Sequence, residues 1–356
     1  MDVAKWALEH ELPVMELYPS VISEVEPHIK DDATARDEFI AHHQELERPQ
    51  TLLAIENAFI RDVVGIVELP SSQICYEGNW WLPNLLEHPA YQRRMFFKKR
   101  RLSGNWYSLL SKWATEYYHW FHDVLPRLEN ALSHLPGDTR FLINESPSNY
   151  QLESLKAYGI TASQLESQAV GVRTKVERLW FATPVGHENL GSGKVISRVA
   201  GRLKKYFVPD GPAAQPRKIF ISRKKATCRR VIDESECEPI LKELGFEIMM
   251  LEDIAWHEQV RLFSAAEAIM GPHGAGLMNM IFALDRAAIW EIVPKVASPH
   301  YIVLARQLGY QFQRIYAEPV SDKLIVNMTP GDKLMADMRL RGSLGLMTLK
   351  DYSGIH

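Results

Sequence analysis

The chain has little cysteine: three in 356 residues, at Cys75, Cys228 and Cys237, with no C-x-x-C pair. An odd, widely spaced set argues against a disulfide framework or a structural zinc site and fits a reducing, cytoplasmic setting. Long apolar runs are also missing. None approaches the roughly 20 residues that span a bilayer. The opening "MDVAKWALEHELPVMELYP" has no apolar core of signal-peptide length. Charge is balanced as well: 41 Lys and Arg against 44 Asp and Glu give a formal net charge of −3. That balance gives no reason to expect a nucleic-acid partner. The sequence has no internal repeat, no G-x-S-x-G elbow, no G-x-x-x-x-G-K-[ST] phosphate loop, no H-E-x-x-H and no D-x-D pair. Enzymes that hold a nucleotide diphosphate through a divalent metal often use closely spaced aspartates. Here positive side chains and a helix N-terminus would have to neutralise such a group, and no metal or other cofactor is expected.

What is present fits a globular protein of two domains, with 46% hydrophobic and 24% charged residues. Residues 1–207 are expected to form the first domain, with a polar, acidic extension at 1–50. "TLLAIENAFI" and "DVVGIVELP" look like short strands, and a helical pattern of apolar residues covers 105–132, kinked or interrupted at Pro126. The stretch 186–216 is rich in Gly, Lys and Pro, and "VPDGPAAQP" (208–216) has linker composition, which places the domain boundary at 208. From there to about residue 330, strands and helices alternate regularly, as in βαβ units on a parallel sheet. In such sheets ligands bind beyond the carboxyl ends of the strands. Residues 331–356 are expected to form a helical tail that packs back on the first domain. The basic-aromatic cluster "RRMFFKKRR" (93–101) allows peripheral contact with a membrane surface.

Three sites stand out. In "IMGPHGAGLMNMIF" (269–282), a strand enters a turn containing Gly271, His273, Gly274 and Gly276, and an apolar helix is expected to follow. Gly274-Ala275-Gly276-x-x-Asn279 half matches G-x-G-x-x-G, but Asn279 replaces the last small residue, and the motif falls on about the third strand rather than the first. The turn fits close approach of a phosphate or diphosphate to backbone N–H groups, or else a plain turn in which His273 caps something locally. The second site, "ISRKKATCRRVID" (221–233), places Arg223, Lys224, Lys225, Arg229 and Arg230 after the domain's first strand, where they suit a diphosphate; by itself such a run is often just a solvated loop. The third, "EYYHWFHDVLPRLE" (116–129), puts His119 and Asp123 on one helix face as a candidate proton-abstracting pair, with an amphipathic helix as the plainer alternative. His122, next to Asp123, is not expected to point the same way. Glu291, at a strand end in "IWEIVP", is a candidate ribose partner. Cys228 is read as incidental.

Taken together, "YYHWFHDVLPRL", "FISRKKATCRRVIDESE", "GFEIMMLEDIAWHEQVRLFSAAEAIMGPHGAGLMNMIF" and "IWEIVP" resemble glycosyltransferase family 61, in the right order over roughly 105–315. That family includes plant xylosyltransferases, animal protein O-GlcNAc transferases and bacterial capsular-polysaccharide enzymes; the last type is the expected match. The resemblance implies an α/β, GT-B-like fold: two Rossmann-like domains facing across a cleft. It implies metal-independent, inverting transfer from a nucleotide sugar, usually a UDP-sugar, to a hydroxyl of a glycan or lipid-linked saccharide. Arg223, Arg229, Arg230, His273, Gly274, Ala275, Gly276, Asn279 and Glu291 would bind the donor. Asp123 would be the catalytic base, with His119 positioning it or touching the acceptor. A nicotinamide-dependent oxidoreductase and a non-catalytic nucleotide-sugar or polysaccharide-binding module are the alternative readings.

Overall fold

A computed structural model describes residues 2–75, 98–187, 190–213, 215–231, 234–293 and 298–316. The expected tail at 331–356 and the start of the basic-aromatic cluster, 93–97, lie outside the described residues. The chain divides into two compact units, Met1–Asp31 with Arg36–Arg202, and Asp32–Ala35 with Leu203–His356.

The first unit is built on a sheet of eight strands: β1 (Met15–Tyr18), β2 (Gln50–Glu56), β3 (Phe59–Arg61), β4 (Ile66–Glu68), β5 (Lys98–Ser108), β6 (Arg140–Asn144), β7 (Leu165–Gln168) and β8 (Val172–Ala182). β5, β6 and β7 run parallel, and β5 also pairs in parallel with β8. β8 then pairs antiparallel with β2 and β3. The sheet is therefore mixed, parallel from β7 to β8 and antiparallel where β8 meets β2 and β3. Its core gathers Leu53, Ile55, Ile60, Val67, Trp106, Val176 and Leu179, with Val3, Trp6 and Ala7 from the helix Val3–Glu9. Each buried Val, Leu or Ile among them contributes roughly 1.5–3 kcal/mol, and Val3, Trp6 and Ala7 tie the start of the chain into this unit.

Two sequence expectations are corrected here. Asn105–Ser108 closes strand β5 instead of opening a helix, because Trp106 and Tyr107 pair with β6 and β8 in the interior of the sheet. A helix, Gly193–Phe207, occupies much of the Gly- and Lys-rich stretch; Val195, Ile196, Val199, Ala200 and Leu203 are buried at helical spacing. Between β8 and this helix lies a two-residue ladder, β9 (Gly186–His187) against β10 (Leu190–Gly191).

The second unit carries a fully parallel sheet of β11 (Arg217–Ile221), β12 (Phe246–Met249), β13 (Ala266–Pro272), β14 (Ala288–Val293) and β15 (Gln311–Tyr316), in the order β12-β11-β13-β14-β15. β13 and β14 are buried along nearly their whole length, as strands covered on both faces are. This is a doubly wound order. The chain winds to one side from β11 to β12, then crosses back to β13, so the topological switch lies between the carboxyl ends of β11 and β13. The apolar segment after the glycine turn is a 3₁₀ helix, Ala275–Phe282, not the expected α-helix. Among the described residues no helix is long and apolar enough to cross a membrane.

Candidate functional site

The sequence elements that stand out form two polar clusters, one in each unit.

In the first unit, one helical segment runs from Tyr117 to Ala131, with a π turn at Trp120–Val124 inside it. Pro126 has no N–H, and in a continuous α-helix its ring would press on the His122 carbonyl four residues back. A wider turn relieves that clash, and π turns of this kind are frequent at functional sites. The turn has a direct chemical result. His119 Nδ1 lies 2.6 Å from Asp123 Oδ2, and His122 Nδ1 lies 2.7 Å from Asp123 Oδ1. Adjacent residues that would diverge on a regular helix therefore meet, and the expected His–Asp pair is a His–Asp–His cluster. A carboxylate only accepts, so each Nδ1–H donates. Burial alone would raise the Asp123 carboxyl, but the hydrogen bonds and charges of the two histidines outweigh it and hold the pKa below the ordinary value. His119 stacks on Trp113 at 4.7 Å and His122 on Tyr118 at 4.8 Å. His119 is the more open of the two, at 15% side-chain exposure against 3%. This geometry alters the roles expected from the sequence. Both oxygens of Asp123 are occupied and its proton affinity is lowered, so it suits the orienting role, and the open edge of His119 suits proton transfer.

In the second unit, the glycine turn and the basic loop meet at the switch point. The Arg223 guanidinium lies so close over Gly274 that a Cβ at that position would collide with it. The backbone of Gly274 is extended, at φ 168°. Arg223 donates from Nη2 to the Cys228 carbonyl at 3.2 Å, while its buried Nε has no partner among the described residues. Burial first, then the neighbouring charge of Arg229, hold the Arg223 pKa below its ordinary value. Arg229 is held at φ 52°, a left-handed conformation that costs a non-glycine residue about 1–2 kcal/mol. Cys228, incidental on sequence grounds, reports on the same field. Burial would raise its thiol, yet the hydrogen bond from Arg229 and the charges of Arg229 and Arg223 bring it down. The other cations of the loop divide differently. Lys224 pairs with Glu238 and Lys225 with Asp253, while Arg230 is exposed.

His273 directly precedes Gly274, the residue against which Arg223 lies. Its backbone N–H donates to the Ile292 carbonyl at 2.9 Å, and its Nδ1 lies 2.5 Å from Glu291 Oε1. Glu291 is wholly buried, and its second oxygen accepts from Arg314 Nε at 3.0 Å. This corrects the ribose assignment: with no exposed surface and both oxygens engaged, Glu291 is placed to orient His273. Arg314 also reaches Asp32 at 2.8 Å and the Ser298 carbonyl at 2.7 Å. Asn279 is fully buried too, donating to the Gly276 carbonyl at 3.1 Å and to Gln259 at 3.3 Å, so it braces the turn from below. The Gly274 carbonyl is fixed by the Tyr301 hydroxyl at 2.7 Å. Ala275 and Gly276 form the first turn of the 3₁₀ helix, whose leading backbone N–H groups have no partner within the helix.

Sequence reasoning missed His122, Arg314 and Tyr301. The signal for His122 was indirect: Pro126 four residues on, where a regular helix cannot continue. Arg314 and Asp32 are 282 residues apart, and only the fold unites them.

A doubly wound unit with arginines at its switch point has the architecture of α/β proteins whose ligands bind beyond the carboxyl ends of the strands. Comparison with known proteins narrows this. Residues 117–290 match the family model described as Glycosyltransferase 61, and over that segment the chain is similar to this family. It is 28% identical over 207 residues to alpha-1,3-arabinosyltransferase XAT3 of Oryza sativa subsp. japonica, covering 52% of this chain and 35% of that protein. It is 26% identical over 142 residues to the EGF domain-specific O-linked N-acetylglucosamine transferase of Bos taurus, covering 38% and 27%. It is 29% identical over 149 residues to the rice beta-1,2-xylosyltransferase XAX1, covering 39% and 25%. The chain thus spans between a quarter and about a third of the length of these relatives.

Proposed function

We propose that this chain is a glycosyltransferase that moves a sugar from a nucleotide sugar, of the UDP type, to a hydroxyl of a glycan or lipid-linked saccharide, with inversion and without a metal. The observation that carries the reading is Arg223. It is a part-buried guanidinium with an unsatisfied N–H, set over Gly274 at the switch point and next to a second arginine. Such a group needs an anion, and a diphosphate supplies one in bidentate geometry. A cytoplasmic setting belongs to the same proposal.

In this mechanism the second unit holds the donor diphosphate with Arg223, Arg229, His273 and the N–H groups at Ala275 and Gly276. His119 Nε2 takes the proton from the acceptor hydroxyl as its oxygen attacks the anomeric carbon. Asp123 fixes the tautomer of His119 and stabilises the imidazolium that forms, as a carboxylate does in hydrolytic triads. The bond from the anomeric carbon to the diphosphate oxygen breaks on the opposite face, and the charge that leaves on that oxygen meets Arg223 and His273.

The test is a melting-temperature screen against UDP, UDP-sugars and NAD(H), followed by turnover with the best donor in EDTA. Uridine nucleotides are expected to raise the melting temperature, and EDTA to leave turnover unchanged. Stabilisation by NAD(H) alone would overturn the transferase reading, and activity lost to EDTA and restored by Mn²⁺ would overturn its metal-free part.

A further inference from the structure

We propose that the first unit contains a monosaccharide pocket, lined by Arg48, Thr51, Thr183, Pro184, Gly186 and His187, that seats a neutral terminal sugar ring of the acceptor. The proposal rests on the glycosyl-transfer reading above and assigns that reaction its acceptor subsite.

The pocket has a volume of about 180 Å³ and lies entirely within the first unit. An apolar cavity of roughly 150 Å³ accepts a benzene ring, so this one has room for one six-membered ring with its substituents, not for a nucleotide. Its lining is largely apolar, with a few hydrogen-bonding groups at fixed positions. Ala4, Pro49 and Pro184 provide rigid apolar walls for a C–H face. Thr51 and Thr183 provide hydroxyls 3.5 Å apart, and the Thr51 N–H fixes Thr183 Oγ1 at 2.8 Å. At the mouth, Arg48 stands 4.0 Å from Asp2, both well exposed. An open pair of that kind is worth little and yields to a ligand hydroxyl at small cost. The lining holds one cation, Arg48, against two acids, Asp2 and Glu45. That balance disfavours a phosphate or uronate and favours an uncharged ring.

The pocket is joined to the proton-transfer cluster through a short wall. Gly186 lines the pocket and pairs with Gly191 across the β9–β10 ladder. A Cβ on Gly191 would come within 2.9 Å of His122 Cε1, so the ladder packs directly on the histidine that holds Asp123. His187, the ladder's inward residue, stacks on His42 at 3.6 Å, 13° from parallel. Burial first, then His42, push the His187 pKa down to about 3. The pocket therefore presents a neutral imidazole, suited to a hydroxyl and not to an anion.

Saturation-transfer NMR tests this with methyl glycosides of glucose, galactose, mannose, xylose and arabinose on the intact protein. UDP serves as a probe of the second unit in the same samples. At least one methyl glycoside should bind. Ala4→Phe, which fills the pocket from the N-terminal helix, should weaken that binding tenfold or more while UDP still binds. Thr183→Val, which keeps the shape and removes one hydroxyl, should weaken it severalfold. UDP binding without any glycoside binding would overturn the pocket and leave the transferase reading standing, as would glycoside binding indifferent to Ala4→Phe. Glycoside binding lost in Ala4→Phe, with no binding of UDP, would support the pocket and overturn the nucleotide-sugar reading.

Discussion

Each unit contains a carboxylate gripped by a histidine Nδ1, and the two are wired to opposite ends. Asp123 is shared between His119 and His122, two groups that can gain or lose a proton. Glu291 is shared between His273 and Arg314, and the arginine cannot let its proton go. The first cluster can pass through different charge states as a proton moves. The second has one partner fixed as a cation, itself tied to Asp32 and the Ser298 carbonyl, so its charge is part of the framework. In the proposed mechanism a similar pair of atoms at a similar distance serves proton transfer in one place and fixed-charge binding in the other. The third partner decides which.

The comparison breaks most clearly on activity. Asp123→Asn should lower turnover on the order of 10²–10⁴-fold and reshape its pH profile, because an amide no longer enforces the donating tautomer at His119. Turnover within a few-fold of the parent would sink the orienting role. On stability the order reverses. Glu291→Gln strips buried Arg314 of one of its two carboxylates, leaving Asp32, and urea unfolding should show a loss of about 3 kcal/mol. Asp123→Asn should lose less than half of that, since its histidines can simply remain neutral. Equal losses would show that the two clusters do not differ as described.

A smaller effect separates the units by pH. The folded His187 pKa of about 3 lies below its ordinary 6.5, through burial first and His42 second. Between those values the unfolded chain binds a proton that the folded chain refuses. Stability from this source is therefore full above pH 6.5 and falls as pH drops toward 3, by roughly 2 kcal/mol at pH 5. His187→Gln should flatten that slope in urea midpoints measured from pH 7 to 5. An unchanged slope would place the titration elsewhere.

Much of the second unit could be read directly from the sequence. Its strands alternate with helices, and the chemistry lies where strands end, so position along the chain already implied position at the sheet edge. Arg223, His273 and Gly274 fall at that edge for this reason. The first unit was harder. Its sheet changes from parallel to antiparallel pairing at β8, and no local pattern announces that. Residues 105–108 have apolar spacing compatible with a helix or a buried strand, and pairing partners far along the chain decided for the strand. The roles of Glu291 and Asn279 were misjudged for a related reason. Strand-end placement predicts nearness to a ligand but not burial, and both side chains face inward.

The π turn at Trp120–Val124 also determines how this helix tolerates changes in length. Successive residues of an α-helix are rotated by about 100°, so one extra residue within a turn acts as a phase shift between the two halves of the helix. The half beginning at Leu125 is locked by buried Leu125, Leu128 and Ala131. Deleting one residue between 120 and 124 would let the helix close into regular α form and swing His119 away from Asp123, with nearly every side chain in the segment retained. Single-residue deletions are therefore expected to be far more damaging here than conservative substitutions, a sensitivity to length that composition alone does not reveal.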